Sequence, residues 1–205
     1  MSPTTTTSPG RLRTHSPAAD NMASRPQSID AAPDAASSSL ARWRREVRAG
    51  RDALREAFLA KPNTPRLLRE HARLVDRVLR GLWVEHAMPR GVALVAVGGY
   101  GRGQLFPHSD VDVLILLPAG VDPAPSAQIE RFLAALWDVG LEVGHAVRSV
   151  DDCEREMAGD VTVRTSLLEN RLLAGSRKLH AAFRERFAAT LDPRAFHEAK
   201  VLEQQ

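Results

Sequence analysis

Asp110 and Asp112 are the residues of this chain whose type and spacing most directly imply chemistry. They stand two apart at the head of an apolar run over residues 111–117. Strand alternation puts both carboxylates on one face and turns Val111 and Val113 the other way. Two ionised carboxylates side by side repel, and a fold that keeps them needs a cation between them. Oxygen ligands of this kind suit a hard ion, and magnesium bound to substrate phosphates is the ion expected. Upstream, the β-branched run over residues 92–97 ends in Gly98-Gly99, with Gly99 eleven residues before Asp110. A glycine turn leaves backbone N–H groups open to a closely approaching anion. Arg102 adds a planar fork for phosphate oxygens, and Ser109 a hydroxyl next to the acids. Alone, an Asp-x-Asp is a solvated strand end and a Gly-Gly is a plain turn. Together, at the facing ends of two buried strands, they predict metal-assisted phosphoryl or nucleotidyl transfer. No Gly-Lys-Ser/Thr follows the glycines, so this is not a P-loop, and Gly99 and Gly101 lack the third glycine of a dinucleotide turn.

These residues need strands to carry them and helices to cover the strands. Residues 92–97, 111–117 and 141–150 read as strands, and residues 126–139 as a helix with Ile129, Phe132, Leu133, Leu136 and Trp137 inward. Residues 151–158, 160–174, 176–190 and 193–205 read as helices. Before the strands, a helix capped by Ser39 runs to about residue 60, with Trp43, Val47, Leu54 and Phe58 along one stripe. Thr64 caps a second, with Pro65 at its first position and Leu67, Leu68, Leu74, Val75, Val78 and Leu82 buried. This pair reads as a buttress without chemistry of its own. The expected class is α+β, a small mixed sheet with helices packed on one side, preceded by the helical pair. Residues 1–38 read as a disordered Ser/Thr/Pro-rich leader, 39–90 as the pair and 91–205 as the domain that carries the site.

Composition narrows the setting. No apolar run approaches the roughly 20 residues a bilayer span requires, and no apolar h-region marks a secretory signal. One cysteine, Cys153, excludes an internal disulfide. A cytoplasmic protein is expected. Residues 40–80 hold twelve basic and five acidic side chains. Without aromatic or glycine interleaving, that excess reads as a solvated face whose arginines pair with nearby acids, so nucleic acid is not the expected partner.

The segment G-G-Y-G-R-G-Q-L-F-P-H-S-D-V-D-V-L-I-L-L resembles the polymerase-beta-type nucleotidyltransferase superfamily, marked by a hydrophobic strand, Gly-Gly or Gly-Ser, then Asp-x-Asp. More closely, it is similar to the bifunctional uridylyltransferase/uridylyl-removing enzymes that modify the PII nitrogen-signalling protein. L-E-V-G-H-A-V-R-S-V-D-D-C and D-V-T-V-R-T-S-L-L-E-N-R-L-L-A-G extend the likeness over residues 40–205. The resemblance implies transfer of UMP from UTP to a tyrosine of PII, with release of pyrophosphate. It places two magnesium ions on Asp110 and Asp112 and the triphosphate on Gly98 and Gly99. It also implies a third carboxylate on an adjacent strand, for the metal that activates the attacking hydroxyl. Glu142 is the candidate, with Asp160 behind it. His145 alternates onto the face opposite Glu142 and reads as a satisfied, partly buried histidine rather than a base. His108 reads as structural, Tyr100 as packing in the glycine turn or lining the nucleotide site, and Trp83 and Trp137 as core. Family members are several times longer and carry HD-type phosphohydrolase and ACT domains. This chain has no His-Asp dipeptide, so it is expected to be a fragment without uridylyl removal or glutamine sensing.

Overall fold

The computed structural model describes residues 35–121, 126–159 and 161–190. Asp160, most of the leader and the helix expected over residues 193–205 lie outside them. The first described element is helix α1 (Ala35–Ala60), which starts before Ser39. Ser39 therefore caps nothing, and its hydroxyl donates to Glu85 Oε2 at 2.5 Å. Helix α2 (Thr64–Glu85) is capped one residue earlier than expected: Asn63 Oδ1 accepts from the Arg66 N–H at 3.0 Å, with Pro65 in the first turn.

Strands β1 (Ala93–Ala96), β2 (Val113–Leu117), β3 (His145–Ser149) and β4 (Arg171–Gly175) form one sheet in the order β3-β2-β1-β4. β1 runs antiparallel to β2 and to β4, while β2 and β3 are parallel. Helix α4 (Ala127–Asp138), capped by Ser126, makes the parallel crossover. The expected mixed sheet is present, and the class is α+β.

Every residue of β1 and β2 is buried, so both faces of the sheet must be covered, not one. Leu94, Ala96, Val113, Ile115 and Leu117 share a core with α2 and α4. Ala93, Val95, Leu114 and Leu116 face a second core built with α5 (Val150–Gly159), α6 (Val161–Leu168) and α7 (Arg177–Thr190). Two further expectations are corrected. Residues 171–175 are a strand rather than the end of a helix, because the free edge of β1 takes them into its ladder. Trp137 is 58% exposed, since it lies beyond the margin of the buried stripe, and it meets the His145 ring edge-on, with centroids 6.0 Å apart.

Several arginines of the helical pair find acids. Arg42 pairs with Glu85, Arg66 with Glu70 at 2.8 Å, and Arg77 with Glu46 at 3.5 Å. No described helix is long and apolar enough to cross a membrane.

Candidate active site

Antiparallel pairing of β1 with β2 brings the end of one strand beside the start of the other. The Val97 N–H donates to the Asp112 carbonyl at 3.1 Å, which closes the ladder just before the glycines. The chain then turns through a short helix, α3 (Gly98–Gly101). Gly98 has φ +59, a conformation that side-chain-bearing residues rarely adopt. A side-chain carbon on Gly98 would lie 3.8 Å from Asp112 Oδ2 and 3.5 Å from Ser166 Oγ, so the carboxylate and the glycine turn are neighbours.

Parallel pairing closes the other side. The Val111 N–H donates to the Glu142 carbonyl at 2.8 Å, and that of Val113 to Gly144 at 2.9 Å. A Cβ on Gly144 would stand 2.6 Å from Asp112 Oδ1, closer than any real side chain tolerates. The bare backbone at residue 144 is thus what makes room for the acid. Burial, and then the charge of Asp110, hold the Asp112 carboxyl above the ordinary aspartate range. Two acids beside an open glycine turn form a site short of positive charge.

The remaining candidates fall around this pair. Arg102, at the end of α3, is half-exposed and forms an ion pair with Glu169. Ser109 lies in the turn leading to Asp110, with its hydroxyl donating to the Phe106 carbonyl at 3.2 Å. Glu142 is exposed, and its backbone docks beside Val111. Among the described residues, no group of three or more His, Cys, Asp or Glu is placed to hold a metal ion, so the close acidic set is Asp110 with Asp112. His145 is exposed rather than partly buried. His108 is exposed, and Trp83 is core as expected. Tyr100 is 1% exposed and packs beneath the turn.

Sequence reasoning missed three residues that the fold brings here. Ser166 on α6 faces Gly98. Glu169 holds Arg102. Asp76 on α2 accepts the Tyr100 hydroxyl at 2.7 Å. Asp76 left a signal: with Ala72, Leu79 and Trp83 it lies on the buried stripe of α2, where an acid is out of place.

Comparison with known proteins agrees with this geometry. Residues 82–174 match the family model described as "Nucleotidyltransferase domain". The chain is similar to the bifunctional uridylyltransferase/uridylyl-removing enzyme of Chromobacterium violaceum, 48% identical over 81% of this chain and 19% of that protein. The corresponding enzyme of Cupriavidus metallidurans is 49% identical over 79% of the chain and 19% of its own length. That of Nitrosospira multiformis is 46% identical over the same shares. The chain therefore spans about a fifth of the length of these curated relatives.

Proposed function

We propose that this chain, whose residues 82–174 match the nucleotidyltransferase domain model, transfers UMP from UTP to a tyrosine of the PII nitrogen-regulatory protein, releasing pyrophosphate. The observation that carries the reading is the nearness of the Asp112 carboxylate to the glycine turn, where a side-chain carbon on Gly98 would lie 3.8 Å from Asp112 Oδ2, with Asp110 beside it. Likeness to uridylyltransferases over four-fifths of the chain supports the choice of base.

The acidic pair fits magnesium. It offers only hard oxygen donors, it repels itself without a cation, and one or two carboxylates completed by substrate phosphates are the usual magnesium set. Asp110 and Asp112 would hold the metal, and Glu142 is the candidate to complete a second position. When bound, two such ions neutralise the triphosphate and favour ionisation of the attacking hydroxyl. The protein's own residues do the rest. The amides at Gly98 and Gly99 receive phosphate oxygens without steric hindrance. Arg102 exchanges Glu169 for the polyphosphate, and the Ser109 hydroxyl stands next to the acids. Catalysis by such a site is positioning and charge stabilisation rather than covalent chemistry.

Incubation with labelled UTP, magnesium and a PII protein tests the proposal. Label on the PII tyrosine is expected. Label only from ATP, or only on RNA, would reassign the chain to another nucleotidyltransferase activity. UTP binding without transfer would make it a nucleotide-binding unit.

A further inference from the structure

Asp76 is a carboxylate 7% exposed, buried on a helix that otherwise turns an apolar stripe inward. Arg171 grips it with two bonds, Nη1 to Oδ2 at 2.6 Å and Nη2 to Oδ1 at 3.0 Å. Arg80 adds a third contact at 3.4 Å and also donates to the Leu173 carbonyl at 2.9 Å. The Tyr100 hydroxyl donates to Oδ1 at 2.7 Å. Arg171 Nη2 also donates to the Tyr100 carbonyl at 3.2 Å, and its guanidinium lies 5.4 Å from the centre of the Tyr100 ring. Tyr100 is therefore held at its side chain and at its backbone by one cluster.

Such a cluster is a poor way to gain stability. Desolvating buried charges costs several kcal/mol per ion, and well-packed apolar groups of similar volume commonly do as well or better. What bidentate, charge-assisted bonds supply is direction. The direction supplied here concerns the turn. Tyr100 follows Gly99 in the chain, and Gly98 abuts Asp112. The underside of the same turn meets the Glu169 carbonyl so closely that a Cβ on Gly101 would stand 1.8 Å from it. Clamped from α2 and from β4, the turn has no room to shift relative to the acids.

We propose that Asp76, which lies outside the matched nucleotidyltransferase residues, is a positioning residue for the nucleotide, locking the Gly98–Gly101 turn through Tyr100 and Arg171. This rests on the nucleotide-binding reading above and gives the N-terminal helical pair a part in it. α2 then fixes the turn from beneath through Asp76.

Tyr100→Phe tests this gently, because Asp76 keeps both arginines and the ring keeps its volume. Asp76→Asn is the stronger second variant. On the full 205-residue chain, UTP–magnesium affinity is measured by calorimetry, and hydrogen exchange is followed at the Gly101 and Arg102 amides, which close the turn onto Val97 and Gly98. Tyr100→Phe is expected to weaken UTP binding about tenfold, the scale of one directed bond. It is also expected to speed exchange at Gly101 and Arg102 while the Leu94 and Val95 amides of β1 keep their protection. Unchanged affinity and unchanged turn exchange in the folded variant would overturn the inference. So would exchange that rises equally along β1, which marks general loosening. A wild-type chain that fails to bind UTP would instead count against the proposed function, and the exchange comparison would still decide the positioning role.

Discussion

Asp112 is where the residue scale is most informative. Its carboxyl is raised above the ordinary aspartate range by burial and by Asp110, so the folded state holds its proton more tightly than the unfolded state does. The sign follows: this group lowers stability as pH rises from the ordinary aspartate value through the raised one, and the loss persists at neutral pH. Asp112→Asn removes that burden. With a chelator present, the variant should melt above wild type at about pH 7, and the gap should close toward about pH 4. The same variant should lose on the order of 10²–10³ in transfer, the scale of removing one electrostatic stabiliser, in a labelled-UTP assay. Glu169→Gln should act the other way on binding. It releases Arg102, which is half-exposed, so UTP–magnesium affinity should rise by no more than about fivefold and the gain should shrink with salt. The two aspartates and the glycines were legible because their chemistry depends on spacing along one chain segment. Glu169 and Ser166 were not, because only the docking of α6 brings them to the turn.

At the scale of elements, the helices and the central strands could be read from period and punctuation. β4 could not. A five-residue run, R-L-L-A-G, has no period of its own that separates strand from helix, and its state is decided by the open edge of β1 some eighty residues earlier. The second covered face was hidden for a related reason. The apolar runs of β1 and β2 announce burial but not what buries them, and the short helix α6 shows weak patterning. α4 carries the cost of error in the other core. Phe132 is fully buried and meets Trp83 edge-on with centroids 5.5 Å apart, so Phe132→Ala should destabilise by about 3–5 kcal/mol in urea unfolding. Gly101→Ala should cost about 3 kcal/mol by the same measurement, the upper end for overpacking, because the obstacle is backbone rather than a movable side chain.

For the whole molecule, ligand and fold are linked. A site made of two mutually repelling acids gains most when polyphosphate and cation arrive together, so Tm should rise more with UTP and magnesium together than the separate shifts sum to. The sheet order β3-β2-β1-β4 also bears on biosynthesis. Among the described residues the last strand lies against the first, and the clamp on the glycine turn joins positions 76 and 171. A nascent chain that has passed the ribosomal tunnel only as far as the parallel β2–α4–β3 unit already displays both aspartates. It nevertheless has an unpaired edge on β1 and an unanchored loop above them. Until Arg171 emerges, the growing polypeptide carries the acids of the proposed site without the clamp that fixes the glycine turn beside them.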